Sequence, residues 1–190
     1  KEISSLLRSQ GDLLRQKFAG KDVAEVKNLK AWRDAYSSFG GKPKKNKPSV
    51  EALFRRVMKG EQLPEINLLV DLYNYISIKY LLPAGADDIE KADGKITLGY
   101  AKGSERFVML GTSEKTSPEK GEIVYADEKD VLCRRWNWRE AEKTKITNAT
   151  KKAAVYFESL VADDSLEDAV LEFAKLLQAS GLAKVSVFIV

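Results

Sequence analysis

From Asp22 to Phe39 the apolar positions Val23, Val26, Leu29, Trp32 and Tyr36 recur with the spacing of one helix face. Asp22 is placed to cap the start and Gly40-Gly41 to end it. Ahead of this segment, Ile3, Leu6, Leu7, Leu13, Leu14 and Phe18 predict another helix, interrupted at Gly11. Pro43 and Pro48 bracket a lysine-rich stretch that cannot pair regularly and is expected as an exposed loop. A short helix follows from Ser49, as N-cap, to Met58, with Gly60 where a C-terminal capping glycine belongs. Residues 64–82 then open on Pro64 and are apolar nearly all round, which predicts a buried helix. Asn67, Asp71 and Asn74 line up on one stripe of it, and buried amides and carboxylates need partners.

Beyond Pro83-Ala84-Gly85-Ala86-Asp87-Asp88 the period changes to two. Ile96, Leu98 and Tyr100 alternate, then Phe107 with Met109, then Ile123 with Tyr125, and Gly94, Gly103, Gly111 and Gly121 punctuate an antiparallel meander. Val131 to Trp138 and Ala153 to Val161 read as two further strands. Ser165 caps a helix with Asp168 at its third position and Leu166, Ala169, Val170, Phe173 and Leu177 on its core stripe. Val185 to Val190 reads as a closing strand. The order predicts an α+β fold, with N-terminal helices packed on a mostly antiparallel sheet and a C-terminal helix and final strand after it.

Composition narrows the chemistry. The 190 residues suffice for one sizeable core, so a single domain over 1–190 is expected, with two small lobes as the alternative. No histidine is present, which excludes imidazole-based triads and histidine-ligated zinc sites. The single cysteine, Cys133, excludes an internal disulfide and multi-cysteine metal sites and suits a reducing, cytoplasmic setting. No signal-like or membrane-spanning apolar run occurs. The formal net charge is only +4, but it is unevenly spread. Lys42, Lys44, Lys45, Lys47, Arg55, Arg56 and Lys59 face Glu51 as the one acid of residues 42–60, whereas residues 158–175 are strongly acidic. One end of the chain can therefore attract a polyanion.

Three constellations stand out. The stripe Asn67, Asp71 and Asn74 either presents a polar array to a ligand or fixes neighbouring loops. Cys133-Arg134-Arg135-Trp136-Asn137-Trp138-Arg139 reads as a strand with Cys133, Arg135, Asn137 and Arg139 on one face and Arg134, Trp136 and Trp138 on the other. Guanidinium forks beside aromatic rings suit phosphate contact and base stacking, the alternative being core tryptophans with solvated arginines. The lysine run is either a phosphate-backbone contact or a solvated turn. Asp87-Asp88 and Asp93-Gly94 lack calcium-loop spacing, and Gly40-Gly41-Lys42 lacks the spacing of a phosphate-binding loop, so no metal or cofactor is expected.

These residues carry a resemblance. Asn67-Leu68-Leu69-Val70-Asp71-Leu72-Tyr73-Asn74, then Pro83, then Asp88 and Gly94 opening the strand Lys95 to Ala101, resembles the editing module of the phenylalanyl-tRNA synthetase beta subunit. The Cys133-to-Arg139 segment followed by Thr144-Lys145-Ile146-Thr147 resembles stand-alone proteins built from that module, and the likeness covers about residues 30–160. It implies an α+β fold and a trans-editing aminoacyl-tRNA deacylase that hydrolyses the ester of a mischarged amino acid on the terminal adenosine of tRNA. Asn67, Asp71, Asn74 and Pro83 match the motif helix and turn around the editing pocket, and Arg135, Trp136 and Asn137 stand where its pocket strand runs. Gly85 replaces the module's histidine, and Glu158 lies two residues beyond the position of its pocket glutamate, here Tyr156.

An aminoacyl ester is already activated, so histidine is dispensable. Glu158 is the expected base and backbone N–H groups near Gly85 the expected oxyanion donors. Lys44, Lys45, Arg55 and Arg56 are expected to hold the acceptor stem. The loss of the histidine keeps open a non-catalytic tRNA-binding or partner-binding module of the same fold. A pocket for a free amino acid or nucleoside is a third, more distant reading.

Overall fold

A computed structural model of the chain describes residues 2–163, 165–181 and 184–188. Among them are five α-helices: α1 (Glu2–Lys17), α2 (Lys27–Ser38), α3 (Ser49–Met58), α4 (Leu68–Tyr80) and α5 (Ser165–Ala179). The strands are β1 (Ala84–Asp88), β2 (Thr97–Tyr100), β3 (Phe107–Val108), β4 (Lys115–Thr116), β5 (Ile123–Ala126), β6 (Val131–Arg134), β7 (Arg139–Glu140) and β8 (Ala153–Phe157). The class is α+β, as the pattern predicts. The residues divide into two compact units, Lys1–Ala31 with Val50–Ala84 and Tyr156–Val190, and Trp32–Ser49 with Gly85–Val155.

The first unit is helical. Leu14 of α1 and Phe18 just after it meet Val50, Phe54 and Val57 of α3 in one core with Val23, Val26, Leu29 and Leu81, and the Phe18 and Phe54 rings cross at 5.5 Å and 75°. Helix α1 is continuous through Gly11, where a break was expected. A Cβ built there would lie 3.6 Å from Val57 Cγ1, an ordinary contact distance, so neither the backbone nor the packing at this position requires glycine. The helix expected over Asp22–Phe39 is split. Asp22 caps a 3-10 turn over Val23–Glu25 by accepting the Ala24 N–H, and Val26 is extended before α2 begins.

Helix α4 starts at Leu68, later than Pro64 predicts. Asn67 is extended and its Oδ1 accepts the Val70 N–H at 3.0 Å, while Asp71 Oδ1 reaches back to the Ile66 N–H at 2.9 Å. These reciprocal bonds satisfy donors that a longer helix would have used and hold Ile66 and Asn67 outside it. The body of α4 is buried from Val70 to Ile78 except for half-buried Tyr73, as its apolar surround predicts. It packs on α5, where Glu172 accepts from Lys79 Nζ at 2.6 Å and from Tyr80 Oη at 2.6 Å. Ala169, Phe173 and Leu177 of α5 are buried, the stripe read from sequence.

The second unit carries a four-stranded sheet in the order β2-β5-β6-β7, each neighbour antiparallel, beside a β3–β4 pair. Ala101, Phe107, Val124, Val131 and Ala141 form its core. The strand expected over Val131–Trp138 is instead a hairpin. Residues 135–138 turn, Arg134 pairs with Arg139 and Cys133 with Glu140, so the two faces expected for this segment do not exist. Asp87 and Asp88 lie on a strand, β1, that pairs with β8. Strand β8 ends at Phe157 rather than Val161, because the Ser159 hydroxyl donates to the Val161 carbonyl and accepts its N–H. Residues 185–188 of the closing strand form no strand, and positions 189 and 190 lie outside the described residues. Among the described residues no helix is long and apolar enough to cross a membrane.

Candidate functional site

Four residues, Arg135-Trp136-Asn137-Trp138, make the tip of the β6–β7 hairpin in the second unit. Arg135 and Trp136 have positive φ values of 48° and 69°, a left-handed conformation costly for side chains of this size. Surrounding bonds hold it. The Trp136 N–H donates to the Ile123 carbonyl at 2.7 Å, the Trp138 N–H to the Arg134 carbonyl at 3.0 Å, and the Arg135 N–H to Glu122 Oε1 at 3.0 Å. Trp136 stacks edge-on against Trp32 with ring centres 5.0 Å apart and lies 6.5 Å from Phe39. Asn137 is buried: its Oδ1 accepts from Tyr36 Oη at 2.8 Å and its carbonyl accepts the Ser49 N–H at 3.0 Å.

Glu122 organises the tip and no sequence motif announces it. Its two oxygens take Arg134 Nε at 2.9 Å and Nη2 at 2.7 Å side-on, in addition to the Arg135 and Glu119 backbone N–H groups. Burial pushes the Glu122 carboxyl up, but the Arg134 bonds and the Glu119 N–H outweigh it and hold the group below its ordinary value. Arg135, 8% exposed, is treated differently. Nη2 lies 3.0 Å from Glu119, whose side chain is 75% exposed, and Nε is buried with no hydrogen-bond partner among the described residues. Its guanidinium faces the Trp138 ring at 5.9 Å, and Arg139 faces the same ring at 5.3 Å.

Gly85 belongs to the same unit. A Cβ built on it would sit 2.8 Å from Glu140 Oε1, so a carboxylate comes against the Gly85 backbone. Further along β1, buried Asp87 accepts from Thr144 Oγ1 at 2.5 Å and Asp88 from Thr150 Oγ1 at 2.9 Å, which ties the 144–150 loop to the strand. Burial raises the Asp87 carboxyl above its ordinary value despite the Thr144 hydroxyl. Asp93, Asp127 and Asp130 converge, and Lys143 Nζ donates to all three at 2.6, 2.6 and 2.8 Å, with Arg106 on Asp130 as well. An open groove of about 220 Å³ beside this cluster is lined by Arg106, Val108, Asp130, Val131, Ala141, Glu142 and Lys143, none of them nominated by the sequence.

In the first unit Asn67 and Asp71 are occupied in capping α4. Burial raises the Asp71 carboxyl, with the Ile66 N–H pulling the other way. Asn74 is buried on the same helix, with no side-chain hydrogen bond to any described residue. Pro83 is buried and its carbonyl accepts the Glu158 N–H at 3.2 Å, which brings those two together just past the end of β8. Arg55 is paired with buried Glu51 at 2.7 Å and Arg56 with Glu61 at 3.3 Å, so both side chains already have carboxylate partners. Lys44 and Lys45 are exposed in the second unit, in a turn closed by the Lys45 and Asn46 N–H groups on the Lys42 carbonyl.

The family described as the B3/4 domain matches residues 31–173, a span that takes in α4, the hairpin tip and both acids, Glu140 and Glu158. The chain belongs to the B3/4 domain family. One relative of this B3/4 chain is the phenylalanine–tRNA ligase beta subunit of Fusobacterium nucleatum subsp. nucleatum, 32% identical over 71 residues, 37% of this chain and 9% of that one. Among solved structures, an N-terminal fragment of the phenylalanyl-tRNA synthetase beta subunit from Pyrococcus horikoshii superposes with a TM-score of 0.50 at 16% identity. That likeness covers 60% of this B3/4 chain and 40% of the fragment, and is one of fold. The resemblance read from the Asn67–Asn74 helix and the Cys133–Arg139 segment thus points to the family the chain is in.

Proposed function

We propose that this B3/4 chain is a trans-editing aminoacyl-tRNA deacylase, hydrolysing the ester between a wrongly attached amino acid and the terminal adenosine of tRNA. The observation that carries the reading is the family match over residues 31–173, which includes a hairpin tip whose buried Arg135 Nε has no acceptor among the described residues. In the reaction a water oxygen bonds to the ester carbonyl carbon, the carbon–oxygen bond to the ribose breaks, and the ribose oxygen takes a proton. The products are a free amino acid and a tRNA with both terminal hydroxyls. With no histidine in the chain, the water's proton is taken by a carboxylate, or is relayed by the vicinal ribose hydroxyl, which accepts it as it passes its own proton to the leaving ribose oxygen.

Glu158 and Glu140 are the two carboxylates proposed for that role. Glu140 has the better local argument, because a carboxylate against Gly85 opposes an oxyanion there and favours abstraction of a proton from water. Asp71 and Asn74 are proposed to orient the pocket, with Asn67 and Pro83 fixing the backbone around them. Trp136 and Asn137 support the tip from which Arg135 acts, and Lys44 and Lys45, more than the paired Arg55 and Arg56, meet the acceptor stem. One observation favours a second reading, a non-catalytic tRNA-binding module: Asn67 and Asp71 spend hydrogen-bonding capacity on capping their own helix.

The test is a deacylation screen with tRNAs each charged with a near-cognate wrong amino acid, against a no-protein control. Selective ester loss from one mischarged species is expected. Spontaneous loss throughout, with tRNA still bound at low salt, replaces the deacylase with the binding module.

A further inference from the structure

Two adjacent arginines in the hairpin differ in how their side-on edges are filled. Arg134 presents Nε and Nη2 to the two oxygens of Glu122, the geometry in which a guanidinium grips an oxyanion. Arg135 offers the same edge, but Nη2 meets Glu119 at 3.0 Å while Nε, buried, has no acceptor among the described residues. Glu122 cannot complete it, since its nearer oxygen is 3.8 Å from Nη2 and already accepts from Arg134 and the Glu119 N–H. The Glu119 side chain is 75% exposed, so only its bond to Arg135 has to be exchanged for one to water. A buried guanidinium half-gripped by one exposed surface carboxylate has the form of an oxyanion site with a placeholder in it.

We infer that the Nε–Nη2 edge of Arg135 binds a phosphodiester of the single-stranded end of the RNA substrate, and that Glu119 occupies that edge until the RNA displaces it. The choice of phosphodiester rests on the deacylase reading, in which the α-carboxyl group is esterified and phosphodiesters are the anions common to every substrate. The aromatic surround agrees with a nucleotide: the Trp138 ring faces Arg135 at 5.9 Å and Arg139 at 5.3 Å. The left-handed backbone at Arg135 and Trp136 and the bond from the Arg135 N–H to Glu122 fix where the guanidinium starts, so the edge is preorganised. Asn137 and Trp136 hold the turn through Tyr36, Ser49 and Trp32 and need not touch the RNA.

The test measures binding of the trinucleotide cytidylyl-cytidylyl-adenosine to the full chain by tryptophan fluorescence, in parallel with the same trinucleotide carrying neutral methylphosphonate linkages and with inorganic phosphate. Arg135→Lys, which keeps the charge and loses the fork, is expected to weaken the natural trinucleotide about tenfold. Glu119→Gln is expected to tighten it severalfold by removing the competitor, a gain that no loss of structure produces. Both differences are expected to vanish with the methylphosphonate. Equal responses for inorganic phosphate and the trinucleotide would reassign the site to a free anion and overturn the RNA part of the inference. A Glu119→Gln protein that binds no better, with Arg135→Lys altering only its stability, would overturn the site itself. The two readings fail separately: Arg135-dependent trinucleotide binding without ester hydrolysis removes the deacylase alone, and hydrolysis without either mutational effect removes the phosphodiester site alone.

Discussion

At the scale of single residues, the second unit contrasts two glutamates three positions apart. Glu122 is buried and neutralises Arg134 side-on, whereas Glu119 is largely exposed. Glu122→Gln leaves a mostly buried guanidinium without its anion and is expected to lower the unfolding free energy by about 3 kcal/mol. Glu119→Gln is expected to cost less, about 1 kcal/mol, because Glu119 itself lies in solvent although its partner Arg135 is buried. Urea unfolding of both variants checks the contrast. Asp130 supplies a pH prediction. The hydrogen bonds from Arg106 and Lys143 hold its carboxyl at about 2, below its ordinary value. Its contribution to stability is therefore present at neutral pH, fades as pH falls below the ordinary carboxyl value and is gone below about 2. Asp130→Asn should accordingly lose stability at pH 7 and converge with the parent chain as the acid titration passes that point. None of these roles is legible in the sequence, where Glu119, Glu122 and Asp130 are ordinary surface-type acids. Their partners lie on other strands, and only pairing brings them within reach.

At the scale of elements, helices with a clean 3.6-residue period were legible and their ends were not. Helix α4 was expected from Pro64 because the apolar run begins there, yet Asn67 and Asp71 side chains close its first turn at Leu68. The same polar stripe that suggested a pocket supplies that cap. Asn67→Ala is expected to cost about 1 kcal/mol and Asn67→Asp much less, since either oxygen-bearing side chain caps. If Asn67→Asp nevertheless loses deacylation, the amide has a second role in the substrate pocket. The opposite end carries Leu81 at φ 57°, a left-handed C-cap where glycine is usual. Leu81→Gly relieves about 1–2 kcal/mol of backbone cost but empties a core position worth about 2–5 kcal/mol, so thermal unfolding should move down. Gly11→Ala should move it up by the equivalent of about 0.5–1 kcal/mol, because the added methyl meets Val57 at ordinary contact distance inside a helix. Strands were read less well for a physical reason. Arg135 and Trp136 adopt turn conformations without the glycine or asparagine that normally marks them, and β1 is strand despite its Ala-Gly-Ala-Asp-Asp composition.

At the scale of the whole molecule, the α+β class and the family were legible because they rest on the order of elements and on two motif segments. Which segments gather into each of the two units was not, since each unit is built from segments remote in sequence. Uneven charge also reads differently once partners are seen. Arg55 and Arg56 answer Glu51 and Glu61, whereas Lys42, Lys44, Lys45 and Lys59 of the basic run are exposed. Replacing Lys44 and Lys45 by alanine should weaken tRNA binding across all sequences and reduce the salt slope by about 2, measured as affinity against salt concentration. The interrupted first unit sets the order in which the chain is completed on a ribosome. Helix α4, apolar nearly all round, emerges long before α5, whose Glu172 receives Lys79 and Tyr80. Translating the stretch from Tyr80 to Ser165 takes on the order of 4–17 s. Through that interval α1 is already there to cover one side of the helix but the side that packs on α5 is bare, so slowing translation between the two should raise the nascent chain's demand for chaperones.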